Sequence, residues 1–354
     1  MASYEVLTRS DDKKWNKLLK KIPDNFKDSY YTPEYYHLYE SLGDGKAMCF
    51  VYKEKGAIAM YPFLLNSVNK LGFNLKKEYF DIQGAYGYNG VVTNNYSPEF
   101  ISKFYQGFHD YIKEKNIVAE FTRFHPLLKN HLFSQKYLHV IFDRKTVYLD
   151  LQDSYEKIFS RFQTTTRKQI KRATNRYGLE VKVFRQDLGI LDDFLNIYNE
   201  AMNRVQANHY LFFNKAYFKS LFQINNSVCF IAYFKKKPVA CIIAIYNNQF
   251  INGHLGGSLT DYLNMSPFSL LYAEMIKFGV AINSKFLHVG GGATSNPVDS
   301  LYVFKLNFSK TTSEFYIGKK IHDPEIYEEI VRQWKTKYPE KENLYKNMLL
   351  KYHN

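Results

Sequence analysis

The chain has 354 residues, 45% of them hydrophobic, with 48 Lys and Arg against 34 Asp and Glu, which gives a formal net charge of +14 at pH 7. Its 31 Tyr and 29 Phe can bury enough apolar surface to offset the entropy lost on folding, so a disordered protein is excluded. The length predicts two domains, and the apolar runs are too short to cross a bilayer.

The first half of the chain predicts one α+β unit. Its predicted elements are, in order, a strand over 4–7, helices over 11–21 and 33–42, a hairpin of strands over 48–53 and 58–66, an apolar stretch over 78–93, a helix over 98–115 and a strand over 118–124.

The second half predicts the same order of elements. They are a strand over 179–184, helices over 188–205 and 214–223, a hairpin over 228–234 and 239–246, a strand over 250–258, a helix over 267–282 and a strand over 286–289. The repeated order indicates two copies of one unit. We expect domains over 1–152 and 153–320, followed by a helical segment over 321–354 that packs back on the first domain or mediates self-association.

Between the two halves, residues 154–177 predict one basic helix. Its cationic residues are Arg161, Arg167, Lys168, Lys171, Arg172 and Arg176. A charge run is usually a solvated helix face. Spacings of three to five residues concentrate this charge on one side, however, which favours a face that binds phosphate.

The polar N-terminus lacks the pattern of a secretory signal, which predicts a cytoplasmic protein. Three cysteines, Cys49, Cys229 and Cys241, lie far apart without a CxxC pair, so neither a disulfide framework nor a metal site is expected. The positive charge predicts attraction of anionic ligands such as nucleotides, coenzyme A or RNA, without choosing among them.

Five short segments occur in the order that is typical of a known family. They are residues 166–173 with Gly178, 201–204, 267–276, 289–292 and 301–308. They resemble the FemAB-like branch of the GNAT superfamily, and residues 84–90 and 123–126 resemble segments of members that act in polysaccharide biosynthesis. The resemblance implies two tandem GNAT-like domains that face each other across a cleft, each with a mixed sheet flanked by helices. It also implies acyl transfer to an amine, from either aminoacyl-tRNA or acyl-CoA.

Three residues are candidates for catalysis. Lys305 resembles the family lysine that faces the reaction centre, where a cation would stabilise negative charge on the carbonyl oxygen. The alternatives for Lys305 are a contact to a ligand phosphate and a purely structural lysine. Asp81 and His254 are the candidate bases for the proton of the amine, although single residues of these types are more often structural.

Acceptor binding is assigned to five residues. Arg204 matches a family position used for the diphosphate of a nucleotide-linked acceptor, which a guanidinium binds well. Tyr86, Tyr88 and Tyr210 offer rings and hydroxyls for a base or sugar. Phe304, within the segment that carries Lys305, completes this group.

Donor binding is assigned to the start of the helix predicted over 267–282 and to the basic helix. Ser266, Phe268 and Ser269 flank Pro267, and free amides and hydroxyls at a helix start can bind an anion. The phosphate loop of ordinary GNAT enzymes, Q/R-x-x-G-x-G/A, is absent here. Ser266 is interpreted as the N-cap, and Arg167 and Lys171 would add positive charge.

These residues predict a CoA-dependent N-acyltransferase that transfers an acetyl or short hydroxyacyl group to the amine of a dTDP- or UDP-linked amino sugar for surface polysaccharide. Acyl-CoA would be a co-substrate, and no tightly bound cofactor and no membrane span are expected. Whether the chain forms a homo-oligomer is left open. The alternative is an aminoacyl-tRNA-dependent aminoacyltransferase of peptidoglycan precursors, in which tRNA is the nucleic-acid partner. A catalytically silent nucleic-acid-binding protein is a third hypothesis, for which no RNA-binding signature is found.

Overall fold

A computed structural model describes residues 3–354 and divides the chain into two compact units. The first unit comprises residues 1–143 and 315–354, and the second comprises residues 144–314. The domain limits at 152 and 320 stay predictions. Among residues 3–354, none of the helices is both long and apolar enough to span a membrane.

The strands, in chain order, are β1 (Ser3–Leu7), β2 (Lys46–Glu54), β3 (Ala57–Ser67), β4 (Phe80–Gln83), β5 (Val92–Thr93), β6 (Ile117–Arg123), β7 (His139–Asp150), β8 (Glu180–Phe184), β9 (Ser227–Phe234), β10 (Lys237–Tyr246), β11 (Phe250–Ser258), β12 (Phe286–Gly290) and β13 (Thr312–Ile321). The α-helices are α1 (Asp12–Leu19), α2 (Pro33–Leu42), α3 (Pro98–Glu114), α4 (Tyr155–Ser160), α5 (Thr164–Asn175), α6 (Leu191–Arg204), α7 (Lys215–Gln223), α8 (Pro267–Ala281), α9 (Ser300–Leu306), α10 (Pro324–Lys337) and α11 (Glu342–Tyr345).

The sheet of the first unit has the order β1-β2-β3-β4-β6-β13, and β5 pairs with β3. All neighbours are antiparallel except β4 and β6, which are parallel. A parallel pair needs a crossover connection, which α3 provides. Helix α3 buries Phe100, Phe104, Phe108 and Tyr111, a stripe at helical spacing, in the aromatic core of this unit.

The sheet of the second unit has the order β7-β12-β11-β10-β9-β8, and here β11 and β12 form the parallel pair. Helix α8 is the crossover, and it buries Leu270, Leu271, Met275 and Ile276 in the core of this unit. The two units therefore share one strand order with the parallel pair at the same position, so the predicted duplication of an α+β unit is confirmed.

Two strands, β7 and β13, escaped the sequence prediction because they lack a buried alternation. Residues 139–145 of β7 are mainly polar, and only its second half carries buried apolar residues such as Val147 and Leu149. In β13, only Gly318 is buried. Both strands cross the limits between the units, at 143 and 314.

The C-terminal helix α10 packs in the first unit. Ile330 and Trp334 are fully buried in one cluster with Val118 and Ala119 of β6. The Trp334 indole Nε1 also donates a hydrogen bond of 3.1 Å to the carbonyl of Asn354. These contacts hold the last described residues to the first unit.

Candidate active site

The parallel pair of the second unit opens at its carboxyl end. Strands β11 and β12 pair only where residues 250–252 lie opposite residues 286–288. Beyond Asn252, β11 continues along β10 to Ser258, whereas β12 ends at Gly290 after an irregular pairing with β7. Open sheets bind ligands at the carboxyl ends of parallel strands, so this opening is the candidate site of the second unit.

Three consecutive glycines begin at Gly290, the last residue of β12, and their backbone lies against other parts of the unit. Gly290 has a φ of +74°, which favours glycine. A Cβ at Gly291 would lie 2.9 Å from the carbonyl of Lys145, and one at Gly292 would lie 2.4 Å from Oδ1 of Asp299. Only glycine allows this close approach.

Lys305 lies beside the glycine run, on helix α9. Its side chain is buried, with 8% exposure, and its Nζ donates a hydrogen bond of 2.6 Å to the carbonyl of Gly291. Burial lowers the pKa of the Lys305 ammonium to about 7, opposed by the negative charge of Asp299 and assisted by the positive charge of Arg144. The lowered pKa brings both forms of the amine within reach near neutral pH, so that it can donate to an oxyanion or accept a proton.

Asp299 joins α9 to the loop that follows the glycines. Its Oδ1 accepts hydrogen bonds from the amides of Leu301 and Tyr302 at the start of α9, at 3.0 and 3.1 Å. Its Oδ2 accepts from both the amide and the hydroxyl of Thr294, at 3.0 and 3.1 Å. Burial alone would raise the pKa of Asp299, but these hydrogen bonds lower it.

Arg144 holds the same loop to β7. Its Nη1 donates to the carbonyls of Gly292 and Ala293, at 3.0 and 3.1 Å. Neither Asp299 nor Arg144 was predicted from the sequence as a site residue. An N-cap signal, an aspartate immediately before a helix, could have revealed Asp299. Arg144 lies on a strand without a pattern, and no sequence signal points to it.

His254 lies on β11 just beyond the residues that pair with β12. Burial lowers the pKa of its imidazole to about 3, and its Nε2 is 3.0 Å from the hydroxyl of Tyr217. A general base works best with a pKa near the working pH, so an imidazole of this kind is weak for the task. The catalytic role of His254 stays a prediction, and its surroundings favour a polar contact over proton transfer.

Asp81 lies on β4 in the first unit, not in the second unit with Lys305 and His254. Its carboxylate is fully buried, and one oxygen is 2.6 Å from Nε2 of His353. Burial alone would lower the pKa of His353, but the charge and hydrogen bond of Asp81 raise it. The contact joins β4 to the C-terminal segment, which favours a structural role over the predicted role as base.

Replacing His353 by glutamine is expected to destabilise the first unit by about 1–3 kcal/mol at low pH, because the buried Asp81 carboxylate loses its charged partner. A raised pKa in the folded state means that the pair stabilises fully below the unfolded pKa of histidine, and that this stabilisation is lost as the pH rises through the folded value. Melting temperatures of the wild type and His353→Gln should therefore converge at alkaline pH. The exposed His139, replaced by glutamine, is the control. A pH-independent difference between the wild type and His353→Gln would contradict the assignment.

Three of the predicted acceptor residues lie in the second unit. Arg204, the last residue of α6, donates from Nη1 to the Ser258 carbonyl at 2.7 Å and to the Thr260 hydroxyl at 3.1 Å. Tyr210 is 42% exposed in a short turn after α6. Phe304, next to Lys305 on α9, is half-buried in an aromatic cluster. Arg204 and Tyr210 therefore present polar groups at the surface, whereas Phe304 packs.

The other two acceptor residues, Tyr86 and Tyr88, lie in the first unit. The Arg123 guanidinium lies over the ring of Tyr86, 5.8 Å from its centroid, and burial raises the pKa of this tyrosine. The ring of Tyr88 packs edge-on against Tyr30 and Phe315. Tyr88 is thus part of an aromatic cluster, and its predicted contact with a ligand stays a prediction.

The predicted donor residues at the start of α8 differ in their surroundings. Ser266 occupies the N-cap position, but its φ of +57° is left-handed and its side chain makes no capping hydrogen bond. Ser266 is therefore the N-cap residue, as predicted, but its backbone conformation is not the extended one in which a serine side chain caps a helix. Ser269 is buried, and the ring of Phe268 lies 6.2 Å from that of Phe304.

The basic segment is not one helix, because it breaks after Ser160 into α4 and α5. Arg167 stabilises this break by donating to the Ser160 carbonyl and to the Thr164 hydroxyl, at 2.5 and 3.0 Å. Helix α5 buries Thr166, Ile170 and Ala173. Its opposite side exposes cations, namely Lys168, Lys171, Arg172 and Arg176.

Comparison with known proteins identifies the second unit directly. Residues 160–297 match the family model of the GNAT acetyltransferase domain. A UDP-N-acetylmuramoylpentapeptide-lysine N(6)-alanyltransferase of Weissella viridescens is 28% identical over 173 residues, which are 48% of this chain and 51% of the relative. The chain thus aligns with about half the length of this relative.

Solved structures share the fold of the whole chain. FemX has a TM-score of 0.68 at 12% identity, covering 92% of this chain and 99% of FemX. A tandem GNAT protein from the clavulanic acid pathway has a TM-score of 0.51 at 7% identity, covering 92% of this chain and 99% of its own. At such identities the likeness concerns the fold alone, and it confirms the predicted pair of GNAT-like domains.

The comparisons contradict the predicted CoA-dependent acylation of a nucleotide-linked amino sugar. The named relative transfers an alanyl group to the lysine of a peptidoglycan precursor, which favours the alternative hypothesis. Residues 84–90 and 123–126, which suggested polysaccharide biosynthesis, lie outside the segment that matches the family model. The family model, the relative and the shared fold agree with the predicted resemblance to the FemAB-like branch of the GNAT superfamily, and residues 160–297 match the GNAT acetyltransferase domain itself.

Proposed function

We propose that the chain transfers an aminoacyl group from aminoacyl-tRNA to a lysine amine of a nucleotide-linked peptidoglycan precursor. The observation that carries the proposal is the buried amine of Lys305, which is hydrogen-bonded to the Gly291 carbonyl beside the opening between β11 and β12. The alanyltransferase of Weissella viridescens supports the choice of acyl group and acceptor.

The reaction forms an amide bond between the acceptor nitrogen and the carbonyl carbon of the aminoacyl ester. Negative charge develops on the carbonyl oxygen as the neutral amine attacks, and the bond to the tRNA ribose oxygen then breaks. The proton lost by the amine ends on the departing ribose hydroxyl. Charged Lys305 would donate a hydrogen bond to the oxyanion, while its contact with the Gly291 carbonyl fixes its direction.

The exposed face of α5 supports tRNA as the donor. Its packed side holds the helix to the core of the second unit through Ile170 and Ala173, so the cationic side faces solvent. Arg172 is held by a hydrogen bond of 3.1 Å to the Asn264 carbonyl, and its guanidinium lies 5.5 Å from the Tyr177 ring centroid. A row of exposed cations of this kind suits a nucleic-acid backbone.

Replacing Lys168 and Lys171 together by glutamine is expected to raise the KM for aminoacyl-tRNA and to leave the KM for the acceptor unchanged. Each lost phosphate contact should also reduce the salt dependence, by about 0.7 in the slope of log K against log salt. Initial rates at several salt concentrations measure both effects.

The matched control replaces Lys13 and Lys17, two exposed lysines of α1 in the first unit, by glutamine. This variant changes the net charge equally and should behave as the wild type. Equal effects of the two double variants would mean that overall charge, and not the α5 face, attracts the donor.

A further inference from the structure

Asp299 and Arg144 act electrostatically on the Lys305 amine and bind the loop after β12, without belonging to any motif of the family resemblance. One joins the start of α9 to Thr294, and the other joins Gly292 to β7. We propose that Asp299 and Arg144 are positioning residues that fix the Lys305 amine against the loop after β12. The proposal rests on the proposed function for its catalytic consequence, whereas the contacts themselves belong to the free protein.

A lysine side chain is flexible. Its amine ends a four-carbon chain, so it has a fixed direction only if its hydrogen-bond acceptor is fixed. That acceptor is the carbonyl of Gly291, in a stretch where glycines offer no side chain to hold the backbone. Arg144 restrains the next two carbonyls, those of Gly292 and Ala293, and Asp299 restrains Thr294, the residue that follows them. The two residues thus hold the three consecutive residues that follow Gly291.

Asp299 also holds the helix that carries Lys305, the donor of the hydrogen bond to Gly291. Its Oδ1 caps α9, whose last turn carries Lys305. The Asp299 carboxylate therefore links helix α9, which carries the Lys305 amine, to the loop that carries the Gly291 carbonyl. With one N–H of charged Lys305 used by the Gly291 carbonyl, the remaining two have defined directions, which is what stabilisation of an oxyanion requires.

The charges of Asp299 and Arg144 provide a measurable quantity, the pKa of Lys305. Two residues with a purely structural role would not change this pKa when they are replaced. Asp299 raises the pKa of Lys305 and Arg144 lowers it, while burial accounts for the largest part of the shift. Removing each charge should therefore move the titration of Lys305 in opposite directions. Asp299→Asn keeps an oxygen that can cap α9, but it loses the charge and the second acceptor oxygen for Thr294.

The experiment follows the ε-carbon signals of lysine by NMR in the full chain labelled with 13C-lysine. The Lys305 signal is identified by its loss in Lys305→Gln. We expect a midpoint near pH 7 in the wild type, a lower midpoint in Asp299→Asn and a higher one in Arg144→Gln. Asp323→Asn, which alters an equivalent N-cap at α10 in the first unit, is the matched control and should leave the midpoint unchanged.

Kinetics of the same variants test the positioning. We expect kcat for aminoacyl transfer to fall at least tenfold in Asp299→Asn and Arg144→Gln, with the KM of both substrates nearly unchanged. Thr294→Val removes only the hydrogen bond from the Thr294 hydroxyl to Asp299. It should lower kcat by a few-fold without changing the midpoint of the Lys305 titration, so it tests the positioning even if a charge variant does not fold. Arg144→Lys should keep the midpoint of the wild type and still lose rate.

The proposal is overturned if the midpoint of Lys305 stays fixed in both charge variants, or if it moves in the same direction in both. It is also overturned if Asp299→Asn and Thr294→Val keep the full kcat of an active wild type. A wild type without aminoacyl transfer would defeat the proposed function instead, and the NMR titration would still decide the roles of Asp299 and Arg144.

Discussion

Replacing Lys305 by methionine is expected to lower kcat for aminoacyl transfer by about 10²–10³, the usual effect of removing one donor to an oxyanion. Methionine fills a similar volume but has no N–H for the Gly291 carbonyl or for the reacting oxygen. Because the side chain is buried beside the glycine run, no water easily replaces it. The melting temperature should change little.

The pH dependence of the wild type follows from the same residue. The pKa of Lys305 is lowered to about 7, so the charged form dominates below this pH and is lost above it. A reaction that needs the charged form should show a kcat that falls as the pH rises through about 7. If the reaction needed the neutral form, kcat would instead rise as the pH rises through about 7.

The control for Lys305→Met is Lys285→Met, which replaces an exposed lysine of the same unit. Steady-state kinetics of both variants between about pH 6 and 9 measure the effect. If Lys305→Met keeps the kcat of the wild type and the same fall of kcat at alkaline pH, Lys305 takes no part in the mechanism.

The second large effect is expected for Gly292→Ala. The new Cβ would lie 2.4 Å from Oδ1 of Asp299, a distance that side chains do not tolerate. Either the loop or the start of α9 must then shift, and both carry the contact between Lys305 and Gly291. A misplacement of about 1 Å in an active site can cost about 10²-fold in rate, and we expect a loss of that order.

The control is Gly107→Ala on α3 in the first unit. There the new Cβ meets the ring of Tyr4 at 3.3 Å, and this partly exposed ring can move. The Gly107 variant should keep the wild-type kcat. If Gly292→Ala also keeps it, the loop after β12 does not position the catalytic amine.

Much of the fold could be predicted because local signals agree with the final structure. Helix α2 is predicted over the residues it occupies: Thr32 caps it, Pro33 begins it, and Gly43 ends it with a φ of +91°. The hairpins of β2 with β3 and of β9 with β10 follow from apolar runs around short turns. Strands β7 and β13 could not be predicted, because their pairing does not depend on a buried alternation.

The site could be predicted only in part, because its chemistry depends on partners far away in the chain. The family resemblance predicts Lys305 as a site residue. The burial of Lys305, however, depends on a loop and a strand whose contacts with this side chain could not be predicted from the sequence. Asp81 looks like a base in the sequence, and its partner His353 lies 272 residues further on. Ser266 has the sequence of a cap, but the preceding short turn places it in a left-handed conformation.

The central claim is aminoacyl transfer to a lysine amine, and its most direct test is the mass of the product. The purified chain is incubated with alanyl-tRNA and a UDP-linked muramyl pentapeptide that contains lysine, and the peptide is then analysed by tandem mass spectrometry. We expect one alanyl residue on the lysine side-chain nitrogen, formed only with charged tRNA. An unmodified pentapeptide, together with acylation of a nucleotide-linked amino sugar from acetyl-CoA, would contradict it.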